Sequence, residues 1–365
     1  MKKLRLATVF SGIGAVEQAL EKNKVKYDIV FACDNGEREL PLTPEEIKEK
    51  INGRPQDEVN AYVKKLYDET GKKNYVKQSY FANYKIDEKN WYEDIRFLDG
   101  KQYKDKVDIL VGGSPCQSFS IIGKKAGLED TRGTLFYDYA RLIKETQPKV
   151  FIFENVPGML VHDDGNTWKV ISSVFNSLGY KIFKQILNSK DYGIPQDRKR
   201  LFVVGFRDGN PDFQFPESIP LNKTFFDFLD TDVDAKHYLG KKGFEFVTNP
   251  FYSNRARVNP TIIQTEKANQ QFNWNGDFFF QPIEAVRQRP DIMARAYVGT
   301  WKGQIGVIRQ LTYRECLRFM GFQEKFKIVV PNVPAYRQSG NSIVVNVLQA
   351  LLNSINEARP IYENN

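Results

Sequence analysis

Cys116 follows the run Gly112-Gly113-Ser114-Pro115, which itself follows the apolar stretch Asp108-Ile109-Leu110-Val111. A lone cysteine at a strand end is usually a small, inert hydrophobe. Here the glycines and proline before it, and a polar, glycine-bearing segment after it to Gly127, favour an exposed thiol that acts as a nucleophile. A free thiol has a pKa near about 8.5, so it needs neighbouring positive charge to ionise. Two other segments offer partners. Glu154, directly after Phe151-Ile152-Phe153, places a carboxylate at the end of a second apolar run, where it can hold or move a proton; the alternative is an exposed loop acid. Gln196-Asp197-Arg198-Lys199-Arg200, if extended, puts Gln196, Arg198 and Arg200 on one face, because strand side chains alternate. An arginine there clamps a carbonyl oxygen or a phosphate, against the alternative of a solvated basic turn.

A second group of residues suits a cofactor. Phe10-Ser11-Gly12-Ile13-Gly14 lies between an apolar run and a helical pattern, and glycines in such a turn let the backbone approach a ligand at a helix N-terminus. Asp34 closes the next apolar run, where a carboxylate holds the ribose hydroxyls of an adenosine-containing cofactor. The glycine pattern is not the full G-x-G-x-x-G, and these residues alone do not separate a nicotinamide cofactor from S-adenosylmethionine.

These groups must be carried by a sheet. Short apolar runs (Leu4 to Phe10, Ile29 to Ala32, Asp108 to Val111, Val150 to Phe153, Leu201 to Gly205) alternate with helical patterns over the first two hundred residues. That rhythm predicts an α/β domain with a parallel sheet whose carboxyl edge carries the site. Between Asn35 and Tyr92 lies a charged helical stretch in which Val59, Tyr62, Val63, Leu66 and Tyr67 share one helix face; its default reading is a packed accessory helix. After about Phe215 the rhythm stops. Aromatics mix with Arg255, Arg257, Arg287, Arg289 and Arg295 in a region that reads as irregular and β-rich, before helical patterns resume at Thr312. The net charge of +8 and pI near 9.1 suit a polyanionic partner. Three dispersed cysteines and two histidines argue against a structural zinc site or a disulfide framework, so no metal is expected. No apolar stretch approaches the roughly 18 residues needed to span a bilayer, and the N-terminus lacks a signal-peptide core, which points to an intracellular protein.

Phe10 to Gly14, Pro115-Cys116-Gln117, Glu154-Asn155-Val156, Gln196-x-Arg198-x-Arg200, Arg314-Glu315-Cys316 to Gly321-Phe322, and Gly340-Asn341-Ser342 resemble, in order, the motifs of the DNA (cytosine-5) methyltransferase family, in particular its bacterial restriction-modification members. The resemblance implies a Rossmann-like catalytic domain of S-adenosylmethionine-dependent methyltransferase type over residues 1–217 and 334–365, with a helical insertion at about 35–92. A smaller β-rich target-recognition domain would span 218–333. It further implies that Cys116 attacks C6 of a flipped cytosine, that Glu154 bonds N3 and the exocyclic amine, that Arg200 contacts O2, and that Arg198 orders the site and nearby phosphates. Phe10, Gly12, Ile13, Gly14 and Pro115 would line the S-adenosylmethionine pocket, Asp34 would hold the ribose and Asp94 the adenine amine, and Asn341 and Ser342 would close the pocket from the C-terminal segment. Ser114 and the loop from Ser118 to Gly127 would cover the flipped base. Gln117, Ser120, Gln196, Arg255, Arg257 and Thr261 would meet double-stranded DNA. A monomer in the bacterial cytoplasm at the nucleoid, with a separate cognate restriction endonuclease, completes the expectation. The RNA-modifying branch of the fold usually carries Pro-Pro-Cys and Cys-Phe-Thr; this chain has Ser114-Pro115-Cys116 and no Cys-Phe-Thr.

Overall fold

The computed structural model describes residues 3–114, 135–209 and 211–363. The chain divides into two compact units, unit 1 comprising residues 1–187, 199–217 and 348–365, and unit 2 comprising 188–198 and 218–347.

Unit 1 is built on a seven-stranded sheet. Its strands are β1 (Leu4–Val9), β2 (Tyr27–Cys33), β3 (Trp91–Tyr92), β4 (Ile109–Gly112), β5 (Val150–Asn155), β6 (Tyr180–Asn188) and, after the short β7 (Gln196–Asp197) that belongs to unit 2, β8 (Lys199–Arg207). The spatial order is β3-β2-β1-β4-β5-β8-β6. β1 pairs in parallel with β2 and β4, β2 with β3, and β4 with β5, whereas β8 runs antiparallel to β5. Continuous apolar runs such as Val150-Phe151-Ile152-Phe153 are buried on both sides, as strands covered by helices must be. The helices of this unit include α1 (Ala15–Lys22), α2 (Pro44–Ile51), α3 (Gln56–Glu69), α4 (Tyr75–Asn83), α5 (Leu135–Thr146) and α6 (Asn166–Ser177). Phe136, Tyr139, Phe151, Phe153 and Phe175 pack ring against ring beneath β5, with Phe151 and Phe175 4.6 Å apart, and so hold that strand and the acid at its end in one place.

Unit 2 contains the paired β7 and β10 (Ile263–Gln264) and a four-stranded sheet. That sheet is formed by β9 (Ala256–Val258), β11 (Gly276–Pro282), β12 (Gly299–Trp301) and β13 (Gln304–Gln310) in the order β12-β13-β11-β9. Its helices are α7 (Lys241–Thr248), the short α8 (Ile283–Val286) and α9 (Pro290–Arg295), α10 (Tyr313–Phe319) and α11 (Asn332–Asn341), and the last helix, α12 (Val345–Ala358), begins in unit 2 and continues in unit 1. The Arg314-Glu315-Cys316 motif is a framework here. Glu315 caps α10 together with Thr312 and forms a fully buried, bidentate pair with Arg309, at 2.7 and 2.9 Å.

The contact boundaries differ from the sequence expectation at two places: residues 188–198 and 334–347 pack with unit 2 rather than unit 1. The cause is hydrogen bonding. Arg198 binds the Gly340 and Ser342 carbonyls, and the Asn346 amide donates to the Tyr192 carbonyl at 3.1 Å. Among the described residues no helix is long and apolar enough to cross a membrane.

Candidate active site

The carboxyl ends of β1, β2, β4 and β5 bring the predicted groups of unit 1 to one edge of the sheet, where open α/β sheets bind ligands. After β1 the chain turns sharply. Phe10, Gly12 and Gly14 all adopt positive φ (52°, 53° and 81°), and Gly14 is the N-cap of α1. Gly12 needs that freedom, and a β-carbon there would meet nothing within 4 Å, so the turn presents open backbone. Ser11 locks it from the side, its hydroxyl accepting from the Cys33 amide at 3.0 Å and lying 2.7 Å from that of Thr8.

Asp34 follows β2, and its two carboxylate oxygens accept one backbone N–H each, from Gly12 at 2.9 Å and Gly36 at 2.8 Å. Burial raises its pKa against the opposing pull of those two bonds. Each oxygen keeps a further lone pair, which fits a carboxylate receiving ribose hydroxyls. The open glycine turn and this carboxylate therefore suit an adenosine-bearing cofactor. Asp94 lies just past β3. It is 6% exposed, Oδ1 accepts from the Arg96 backbone and Nε, and Oδ2 accepts from Arg96 Nη2 at 2.6 Å and the Tyr67 hydroxyl at 2.7 Å. Its side chain is held in a buried network with Arg96 and Tyr67.

At the end of β5, Glu154 Oε1 lies 3.1 Å from Arg200 Nε, both side chains mostly buried. The antiparallel register of β5 and β8, in which Glu154 faces Phe202 and Asn155 faces Leu201, puts the acid beside the start of β8. Gly113 passes so close that a β-carbon would stand 2.6 Å from the Glu154 carbonyl oxygen. The Asn155 amide donates to the Ser114 carbonyl at 2.9 Å, tying the base of the loop to the same strand. An acid, a cation and Ser114, the last described residue before Pro115-Cys116, thus share one place. Pro115, Cys116, Gln117 and Ser120, and the loop to Gly127, lie outside the described residues.

The Gln196-x-Arg198-x-Arg200 motif does not stay extended. The Arg198 amide bonds back to the Gln196 carbonyl, and the Gln196 amide to the Ile194 carbonyl, so the chain turns between β7 and β8. Arg200 joins unit 1, while Gln196 and Arg198 join unit 2. Gln196 is fully buried, its amide donating to the Phe319 carbonyl at 2.8 Å and accepting from the Glu266 N–H at 3.0 Å, so it is a framework residue and not the DNA contact expected of it. The Arg198 guanidinium donates to the carbonyls of Glu266, Gly340 and Ser342 at 2.7, 3.1 and 2.8 Å, which is an ordering role rather than a phosphate clamp. In the same unit Asn341 is exposed and Ser342 buried at the end of α11. Arg257 pairs with buried Asp277 at 3.0 Å, whose carboxyl burial raises to about 6. Arg255 lies over the Phe246 ring, and Thr261 is exposed.

The glycine turn and the ribose-type carboxylate at this strand edge suit an adenosine-bearing cofactor, and the fold is that of the Rossmann-like, S-adenosylmethionine-dependent methyltransferases. The chain belongs to the C-5 cytosine-specific DNA methylase family, whose model matches residues 54–357. It is 36% identical over 270 residues to the Type II methyltransferase M.HhaI of Haemophilus parahaemolyticus, covering 72% of this chain and 79% of that protein. It is 35% identical over 276 residues to the Type II methyltransferase M.NgoBI of Neisseria gonorrhoeae, covering 76% and 81%. A solved structure, the Dnmt2 methyltransferase of S. pombe, superimposes with a TM-score of 0.65 at 19% identity over 97% of this chain and 99% of that one, a likeness of fold. The activity class is accordingly DNA (cytosine-5) methylation of the restriction-modification type.

Tyr67, read from the sequence only as part of a helix face, and Asn74 and Tyr84, which the sequence did not single out, bond to this edge. They come from the 35–92 insertion and belong to no motif.

Proposed function

We propose that this chain methylates C5 of a cytosine flipped out of a short duplex DNA target, with Cys116 as the nucleophile. C5 of cytosine is too weak a nucleophile to take a methyl group unaided. Addition of the Cys116 thiolate to C6 breaks the 5,6 double bond and moves electron density onto C5, N3 and O2. Glu154 would supply the hydrogen bond at N3 and the exocyclic amine, and Arg200 the positive charge at O2. S-adenosylmethionine, when bound by the Phe10–Gly14 turn and Asp34, supplies a methyl group activated by its sulfonium. Loss of the C5 proton then expels the thiolate and frees the enzyme. Extruding the base costs roughly a few kcal/mol, which contacts to the duplex must offset. Unit 2, carrying exposed Arg255 and Thr261, would read the target, and Asn341 and Ser342 would adjoin the cofactor. A monomer acting beside a separate restriction endonuclease, at the bacterial nucleoid, fits the restriction-modification relatives.

The observation that carries this reading is the Glu154–Arg200 pair at 3.1 Å beside the Asn155–Ser114 bond, two residues before Cys116 in the sequence. The test is sequencing of C5-methylated cytosine in unmethylated genomic DNA incubated with the protein and S-adenosylmethionine, with Cys116→Ser as the blank. Methylation confined to one short motif and absent from the blank is expected. Unmodified DNA in both preparations would refute the reading.

A further inference from the structure

The insertion between β2 and β3 has its own small core, in which Ile47 of α2 packs with Val59, Val63, Leu66 and Tyr67 of α3. That packing explains why the segment folds, but not where its buried polar groups point. Three of them reach, one by one, the three pieces of chain that form the cofactor edge. The Tyr84 hydroxyl, just after α4, lies 2.7 Å from the Gly14 carbonyl and 3.1 Å from that of Ile13, and its ring lies against Gly14 so closely that a β-carbon there would fall 2.1 Å from it. Asn74, the N-cap of α4, donates to the Asp34 carbonyl at 2.9 Å and to Glu93 Oε2 at 3.0 Å. The Tyr67 hydroxyl donates to Asp94 at 2.7 Å. All three side chains are buried.

A helical excrescence needs no such bonds, since it could be deleted without touching the glycine turn or either acidic strand end. We propose that the insertion is a working part of the cofactor site, a rear support in which Tyr84, Asn74 and Tyr67 are positioning residues for an adenosine-bearing ligand. This rests on the cofactor reading above. None of the three acts on the ligand directly. They fix the positive-φ turn at Gly12 to Gly14 and the two strand ends, so that the ligand does not have to order them on binding, which lowers the cost of binding.

The probe is S-adenosylhomocysteine, titrated calorimetrically into the full chain and its variants. Tyr84→Phe removes only the hydroxyl and is expected to weaken binding roughly tenfold, about 1.4 kcal/mol; Tyr67→Phe is expected to weaken it about threefold to tenfold. The steady-state counterpart is a raised KM for S-adenosylmethionine with kcat and the KM for DNA near wild type. Val63→Ala is the control, because it loosens the insertion's core without removing a bond to the site. It should lower the melting temperature yet leave affinity within about twofold. Unchanged affinity in both tyrosine variants would overturn the proposal, and so would a Val63→Ala loss equal to theirs, since the effect would then be general loosening. A wild-type chain that does not bind S-adenosylhomocysteine at all would instead remove the cofactor reading underneath.

Discussion

Replacing Arg198 separates its structural role from any contact with DNA. Its guanidinium serves three backbone carbonyls from two distant stretches of unit 2, Glu266 on one side and Gly340 and Ser342 on the other. Arg198→Ala strands all three in a buried setting. A buried acceptor left without a donor costs about 1–3 kcal/mol, so at about 1.5 kcal/mol each the three total roughly 4–5 kcal/mol, or roughly 3 kcal/mol if water enters the vacated space and satisfies one of them. Arg198→Lys keeps the charge but replaces a planar fork with a single ammonium that reaches one or two of the carbonyls, giving a loss of about 2 kcal/mol. A two-unit chain need not melt in one step, so the assay is amide hydrogen exchange read by mass spectrometry on peptides around 264–268 and 338–344. If the arginine ties these stretches together, the alanine variant should exchange there about 10²-fold faster, with peptides of β1 and β4 in unit 1 unchanged. The lysine variant should fall between. Exchange at both stretches indistinguishable from wild type in Arg198→Ala would refute the reasoning, because the carbonyls would then be held by something else.

Two further outcomes follow from groups in unit 1. Glu17 is fully buried on α1 beside the Tyr80 hydroxyl, and burial pushes its carboxyl from the ordinary 4.5 up to about 7. The folded state therefore keeps a proton that the unfolded state releases, so stability is fully present below about pH 4.5, falls as pH rises, and levels off above about 7. With 2.5 units of difference at about 1.4 kcal/mol each, the loss is on the order of 3 kcal/mol, and Glu17→Gln should largely abolish it in urea denaturation compared at pH 5 and pH 8. Gly113→Ala would drive a methyl group to 2.6 Å from the Glu154 carbonyl and 3.0 Å from its carboxylate. The end of β5 must shift, and a drop in kcat on the order of 10²-fold is expected with circular dichroism unchanged; wild-type turnover would mean that Glu154 need not stand where it does.

The strand ends were readable because their apolar runs stop abruptly at Cys33-Asp34 and at Phe153-Glu154, and a run buried on both faces leaves its first polar residue at the rim. The Gln196–Arg200 stretch misled for an equally physical reason. Alternation assigns side chains to a face only while the backbone stays extended, and the tight bonds at Ile194–Gln196 and Gln196–Arg198 break that condition. The reversed direction of β8 and the grouping of 334–347 with unit 2 depend on long-range hydrogen bonds that no local pattern encodes. The face of α3 was legible from its spacing, whereas the destination of the Tyr67 hydroxyl was not, since periodicity fixes which side is buried and not what lies there.

The order of pieces along the chain sets an order of completion during synthesis. Unit 1 supplies the first strands but closes only with residues 348–365, made after all of unit 2. Leu348, Leu351, Leu352 and Ile355 of α12 are fully buried in the finished protein, and Asn23 in unit 1 holds that helix through the Gln349 carbonyl and the Asn353 side chain. While unit 2 emerges from the ribosome, the apolar surface that α12 will cover is bare. The unit that starts first therefore finishes last, and the nascent chain carries an open hydrophobic face throughout the translation of some 130 intervening residues (218–347), a span in which a chaperone has something to hold.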